Sequence, residues 1–298
     1  MRFARTTVGL FAALVIATTT MAQDDGSIIV TGRADIDKQI EEYVGALTPA
    51  PPRGQIARFE HEICPRAIGF DETQRFAVEN RIRRVARGVG MKATDKRDCR
   101  INLLVIAAPD KKAFAGELAR KHAFLFGDRT PTEIRRILAQ EGSALSWQVE
   151  GKLNADGHPL DETTGIPINR TGRAESRITA TARPYIQGAV VIFDSKAMVG
   201  LTINQVADYA LMRGFTKVDI AKLDATAAPT ILRALDAPDN AEVPLTLTSW
   251  DFALLKGLYS SANNLYAPSL RSDIRRSVEK EAASTDAVAI PEPDRPKG

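Results

Sequence analysis

The feature that most constrains the fold is the apolar run at residues 101–108, INLLVIAA. It is short for a helix and rich in branched side chains, which favour strands. A strand that is exposed on one face alternates apolar and polar residues, so a continuous apolar run predicts a strand buried on both faces. Residues 101–108 therefore predict an inner strand of a sheet that is covered by helices.

Segments with helical spacing alternate with further strand-like segments along the chain. Asp71 opens one helix, with Gln74 as its capping partner, and Thr130 opens another. Strands are predicted at 56–63, 144–150, 176–183 and 186–194, and helices at 71–90, 110–125, from Thr202, from Thr248 and at 269–283. This alternation predicts an α/β or α+β fold, with a mixed sheet and flanking helices.

The first 22 residues predict a cleavable signal peptide. Arg2 and Arg5 precede an apolar run at residues 8–17, and Ala22 ends a small-residue cleavage site. The apolar run is shorter than the about 20 residues that span a bilayer. We therefore expect a mature chain from Gln23, periplasmic or secreted, without a transmembrane segment. An uncleaved membrane anchor is the alternative.

The remaining chain divides by composition into four segments. Residues 23–54 predict an N-terminal extension, with a short helix at 35–47 and a Pro-rich linker. Residues 55–150 predict an α/β subdomain, and residues 151–283 a second, α+β subdomain packed on the first. Residues 284–298 contain three prolines and no apolar period, which predicts a disordered tail.

Two cysteines, Cys64 and Cys99, are present. An even number in an exported protein favours a disulfide. Closing a loop of about 35 residues is worth roughly 4 kcal/mol in the chain-entropy model. Two buried free thiols are the alternative.

Composition excludes several classes of function. The formal net charge is +3, and the predicted signal peptide carries two of the arginines, so we expect neither nucleic-acid binding nor a strongly acidic carrier. Aromatic residues are 6% of the chain, which does not indicate an aromatic stacking surface.

The sequence contains no recognisable catalytic, metal or cofactor motif. Its three histidines, His61, His122 and His158, are far apart. Glu60 and Glu62 would share one face of a strand, for which a solvated face is the simpler interpretation. We therefore expect no metal and no cofactor, and the catalytic residues, if any, stay unknown.

The predicted helix at 71–90 is rich in arginine. Such a face could bind an anionic polymer, for example lipopolysaccharide. A solvated helix face, with Glu79 and Arg83 paired one turn apart, is the favoured interpretation.

Residues 25–32, with Ile28, Ile29, Val30 and Thr31 at their centre, resemble the TonB box of Gram-negative outer-membrane transporters. That box is an extended segment that pairs with an edge strand of TonB. The resemblance implies a TonB-like partner for this segment. The sequence lacks the many alternating strands of a transporter barrel, so it does not predict such a transporter. For residues 25–32, the alternative interpretation is an ordinary N-terminal strand of the domain.

The mature chain also resembles uncharacterised exported proteins of Gram-negative bacteria, a resemblance that implies no known activity. It runs through residues 57–60, 63–65, 147–149, 205–210 and 258–259. The order of strand 186–194, helix 202–214 and the segment 247–259 faintly resembles zincin-type metallopeptidases. In those enzymes the helix carries HExxH, whereas here it reads INQVADYALM and has no histidine.

These observations together predict a non-catalytic binding or interaction module of the cell envelope. The alternative is a divergent, peptidase-like hydrolase with an unrecognised site. The candidate residues for that alternative are Asp208, Tyr209, His61 and His158.

Overall fold

A computed structural model describes residues 33–51, 54–96, 98–160, 168–172, 181–238 and 241–288. The predicted signal peptide, the TonB-box-like segment 25–32 and most of the predicted strand 176–183 lie outside these residues. The strands are β1 Arg58–Phe59, β2 Pro65–Ile68, β3 Leu103–Ala108, β4 Ala144–Asn154 and β5 Ala182–Asp194. The helices are α1 Arg33–Leu47, α2 Glu72–Gly88, α3 Lys111–Lys121, α4 Pro131–Leu138, α5 Ile203–Phe215, α6 Ile220–Asp224, α7 Ser249–Ser260 and α8 Ala267–Val288.

The longest strand, β5, organises the sheet. On one side it pairs antiparallel with β4 along its whole length. On the other side it pairs parallel with two strands in succession: with β1 near Ile186, and with β3 from Ala189 onward. The short strand β2 continues the sheet beyond β3. The fold is therefore α/β with a mixed sheet, as predicted.

Both faces of the central strands are buried, which confirms the predicted inner strand over residues 103–108, whereas Ile101 is exposed and precedes the strand. Alternate residues of a strand point to opposite faces. Val105 and Val191 belong to a large core that also contains side chains of α1, α2, α5, α7 and α8. Ile106 and Ile192 belong to a smaller core under α3 and α4.

Capping residues fix where several helices begin. Three helices begin with a capping box, at Thr130, Thr202 and Thr248. In each, the threonine hydroxyl accepts from the backbone N–H three residues on, and the side chain of that residue accepts from the threonine backbone N–H. At α2, Asp71 accepts from the Gln74 backbone N–H. These starts agree with the predicted ones.

Other predicted boundaries are wrong. The strand predicted at 56–63 is the two-residue β1, and a separate strand, β2, begins after Cys64. The helix predicted at 110–125 ends at Lys121, where a 3-10 turn over Ala123–Phe126 replaces it. The last helix continues to Val288, so it includes the first residues of the predicted tail.

The helix predicted within the N-terminal extension belongs to the main core. Ile40, Tyr43 and Leu47 of α1 are almost completely buried in it. The boundary predicted at 150/151 falls inside β4, and one sheet contains strands from both sides of that boundary. The described residues form one compact unit.

Side chains cover the open edges of the sheet. On β2, the Glu79 carboxylate accepts from the Ala67 backbone N–H at 3.1 Å. On β4, the Gln140 amide bonds both the N–H and the carbonyl of Ser146, and Arg129 donates to the Gln148 carbonyl. Unpaired edges invite pairing with other chains, and these contacts protect against it.

Cys64 and Cys99 form a disulfide, as predicted, with their Cα atoms 6.1 Å apart. Cys64 directly precedes β2, and Cys99 lies four residues before β3. The bond therefore joins the segments that enter two neighbouring strands.

Candidate functional site

The candidate site is a groove of about 830 Å³ beside the start of β4. It lies between α5, α6, the turn at 140–142 and the segments 232–238 and 241–243. We call it the α5 groove. Its volume is within the range of small-molecule sites, about 300–1,000 Å³. Much of its wall is apolar, with Val218, Ile220, Leu223, Leu232, Pro238 and Val243 contributing.

The helix α5 supplies the floor of the groove. Residues 205–215 are all buried, and this run includes Tyr209 and Arg213 of the floor. Gly214 lets the helix lie against the sheet, since a Cβ there would come within 2.7 Å of Leu103. The Gln148 amide donates to the carbonyls of Arg213 and Thr216 and so fixes the end of α5 on β4.

Arg213 has an unusual set of partners. Its side chain donates to Ser146 Oγ at 2.8 Å, to Gln140 Oε1 at 3.0 Å and to Tyr209 Oη at 3.3 Å. All three are neutral, and among the described residues no carboxylate lies within ion-pair distance of Arg213. The residue is only 4% exposed. Because a buried charge is normally paired, this guanidinium is a marked feature of the groove.

Charged groups of both signs affect the pKa of the Tyr209 hydroxyl. Burial raises the pKa of Tyr209, and the carboxylates of Asp236 and Asp224 raise it further, while Arg213 lowers it. The phenol therefore stays protonated at neutral pH. Tyr209 lines the groove together with Arg213, Asp224 and Asp236.

Acidic residues dominate the rim. Five carboxylates line the groove, against the two arginines Arg213 and Arg233: Glu141, Asp219, Asp224, Asp236 and Glu242. Arg233 donates to the carbonyls of Leu223, Thr226 and Ala228. Glu141 pairs with Lys112 at 3.7 Å, and Asp219 pairs with Lys222 at 3.3 Å. The side chains of Asp224 and Glu242 make no hydrogen bond or ion pair with other described residues.

One turn joins the acidic rim to the sheet. Asp236 Oδ1 accepts from the Ser143 backbone N–H at 2.8 Å. The neighbouring Gly142 has a φ of 78°, which only glycine adopts readily. A Cβ at Gly142 would also lie 2.8 Å from Asp236 Oδ2. Glycine is therefore required here for both the backbone and the position of Asp236.

Asp208, a candidate for the hydrolase alternative, lies in an ion pair instead. It is fully buried on the side of α5 that faces α2, and it accepts two hydrogen bonds from Arg81, at 2.8 and 2.9 Å. Thr246 Oγ1 and the Leu247 N–H also donate to it. These four contacts use the carboxylate to hold α2, α5 and the segment before α7 together.

The two candidate histidines lie elsewhere. His61 lines a second cavity of about 390 Å³ beside the disulfide, where its ring lies edge-on to Tyr185 at 5.3 Å. His158 is exposed in the turn after β4. Of the four predicted candidates, only Tyr209 lines the α5 groove.

Of the two glutamates predicted on a solvated strand face, only Glu62 is exposed, and neither belongs to a strand. Glu60 lies 3.3 Å from Arg183 and 3.6 Å from Arg58, whereas Glu62 lines the second cavity. In the part of the chain that the structure describes, no three His, Cys, Asp or Glu side chains form a group that could hold a metal ion. None of the described helices combines the length and the apolar character that crossing a bilayer requires.

Most arginines of α2 lie beside a carboxylate, although Arg84 and Arg87 are exposed. Arg83 and Glu79 pair at 3.3 Å, as predicted, but both are buried instead of solvated. Arg81 holds Asp208, and Arg87 pairs with Asp95. This pairing leaves less of the predicted basic face available to an anionic polymer.

Comparison with protein families, with curated proteins and with solved structures finds no match for this chain. The site is therefore interpreted from its own chemistry.

Sequence reasoning missed Arg213 and the acidic rim. A signal for Arg213 was present, because α5 carries only two charged residues in an otherwise apolar or neutral helix. A helix that is apolar on every side is buried on every side, and so are its charges. No comparable signal exists for Asp224 at the end of α6, or for Asp236 and Glu242 in irregular segments, because only the tertiary structure brings them together.

Proposed function

We propose that this protein is a non-catalytic binding module of the periplasm or of the secreted fraction, and that the α5 groove is its ligand site. The signal-peptide pattern at residues 1–22 supports export. The disulfide is consistent with an oxidising compartment. The groove supplies a volume and an apolar wall that suit a small organic ligand.

The observation that carries the proposal is the buried guanidinium of Arg213 with neutral partners only. Arginine has five N–H donors, and three hydrogen bonds to described residues are formed here. Two donors are left for a ligand. A carboxylate is the group that matches the planar guanidinium best, because it can accept two parallel hydrogen bonds. The ligand of this site therefore carries a carboxylate.

A thermal-shift measurement tests the proposal with the mature protein and a panel of dipeptides of L-amino acids, which carry a carboxylate on an aliphatic frame. At a hundredfold excess over Kd, a ligand stabilises the folded state by about 2.7 kcal/mol. We expect members of the panel to raise the melting temperature of the wild type and of the control Arg136→Met, whose arginine is exposed on α4. Arg213→Met should not respond.

Two results would overturn the proposal. One is a panel without any stabilising member, and the other is an equal response of Arg213→Met. Mass spectrometry of the ligand after incubation separates the module from the hydrolase alternative. A recovered intact dipeptide supports binding alone, whereas released amino acids would establish hydrolysis.

A further inference from the structure

We infer that the ligand of the α5 groove is a zwitterion, an amino acid or short peptide whose ammonium group lies against the acidic rim while its carboxylate lies on Arg213. This inference rests on the proposed function, and it adds the second charge of the ligand. It follows from the opposite signs of charge at the floor and at the rim.

A ligand with only one charge fits the groove poorly. A simple anion would meet Arg213, but it would also meet the carboxylates of Asp224, Asp236 and Glu242, which have no cation partner among the described residues. A simple cation would meet those carboxylates, but it would leave the buried guanidinium without a counter-charge. Like charges held close together cost free energy, and a buried charge needs a partner. A zwitterion satisfies both ends at once.

Charges of both signs line the same groove. Asp224, Asp236 and Arg213 all belong to its lining, together with Tyr209. Asp236 is held by the Ser143 N–H and keeps its second oxygen near the turn at Gly142. Asp224 is exposed and its side chain makes no hydrogen bond or ion pair with other described residues, which leaves its carboxylate available to an ammonium group.

The apolar wall accounts for the middle of the ligand. Val218, Ile220 and Val243 line the groove and are partly exposed. Aliphatic side chains of a ligand would cover these surfaces, and removing apolar area from water is favourable. The site therefore favours aliphatic amino acids or peptides over strongly polar ones.

Isothermal titration calorimetry with blocked ligands tests the inference. The probes are the dipeptide that binds most tightly in the panel, its N-acetyl form and its C-terminal amide. We expect each blocked form to bind at least tenfold more weakly, since each has lost one of the two charges. Asp224→Asn should weaken the free dipeptide about fivefold and leave the affinity of the N-acetyl form unchanged. Asp128→Asn, at an exposed site away from the groove, is the matched control.

The outcomes separate this inference from the proposed function. If the N-acetyl form binds as well as the free dipeptide while the amide does not, the zwitterion is overturned and the carboxylate site stands. If the amide also binds as well, and Arg213→Met is without effect, both are overturned. Weakening of both blocked forms, with the expected response of Asp224→Asn, supports both.

Discussion

Two charged residues of α5, Asp208 and Arg213, are buried to nearly the same degree in different surroundings. Asp208 faces α2, where Arg81 neutralises it and two further donors complete its hydrogen bonds. Arg213 faces the α5 groove and meets only neutral acceptors. The first arrangement pairs the charge within the chain, whereas the second leaves the guanidinium without a carboxylate among the described residues.

Asp251 of α7 is a second buried carboxylate whose partners all lie within the chain. Asp251 is fully buried without a cation, but its carboxylate accepts from Tyr43 Oη, Thr230 Oγ1 and the backbone N–H groups of Ile231 and Thr248. Burial raises the pKa of Asp251, and these donors oppose the rise. The α2–α7 side of the molecule thus uses buried carboxylates to join segments that are distant in sequence. The groove side places its buried charge next to open space.

The largest effect in this comparison is expected for Asp251→Ala. The substitution leaves four donors without their acceptor, three of them buried, and removes the hydrogen bond from Tyr43 of α1 to α7. We expect the free energy of unfolding to fall by about 4 kcal/mol. Urea denaturation followed by circular dichroism measures it. Lys256→Ala, exposed on the same helix, is the control and should change stability by less than about 0.5 kcal/mol. A loss below about 1 kcal/mol for Asp251→Ala would contradict a structural role.

The next effect is expected for Arg81→Met. Removing the cation leaves the Asp208 carboxylate fully buried with only Thr246 and the Leu247 N–H as donors. Breaking a buried pair in this way costs about 3–5 kcal/mol, and the low end applies because the Arg81 side chain is 20% exposed. The same denaturation experiment measures the change. Arg84→Met, on an exposed part of the same helix, should be almost neutral. Equal stability of the two variants would show that the ion pair contributes little.

The sequence predicts the fold better than the candidate site, and the reason is physical. Some structure is determined by residues that are adjacent in sequence, and it can therefore be predicted from a short segment. Examples are the buried strand in residues 101–108 and the helix starts at Thr130, Thr202 and Thr248. The pairing of β5 with both β1 and β3 depends on contacts that are distant in sequence, and the short strands β1 and β2 carry too few residues for a pattern. The groove is harder still, because its charges come from α5, α6 and irregular segments. Only Tyr209 among the predicted candidates lies in it.

A smaller effect is expected for Gly142→Ala at the groove rim. A positive φ is unfavourable for alanine, and its Cβ would approach Asp236 Oδ2 to 2.8 Å. We expect a loss of about 2 kcal/mol in stability together with weaker dipeptide binding, because Asp236 is displaced. Gly90→Ala serves as the control: it has a similar φ of 90° but no atom within 4 Å of the added carbon. If both variants keep full dipeptide affinity, Asp236 does not need its position for binding.

The smallest effect on stability, and the sharpest test of the comparison, is expected for Arg213→Met. Unlike Arg81→Met, this substitution leaves no buried carboxylate without a partner, since none pairs with Arg213 among the described residues. It removes three hydrogen bonds to neutral groups but also removes the desolvation cost of the guanidinium. Replacing buried charges by apolar side chains of similar size is often neutral or stabilising, so we expect a change within about 1 kcal/mol. Chemical denaturation of Arg213→Met and Arg81→Met, side by side in the absence of ligand, measures the difference. If Arg213→Met loses as much stability as Arg81→Met, its guanidinium is a structural group like Arg81, and the distinction between the two sides of α5 fails. If it stays stable and loses dipeptide binding, the charge at the groove floor is retained for the ligand and not for the fold.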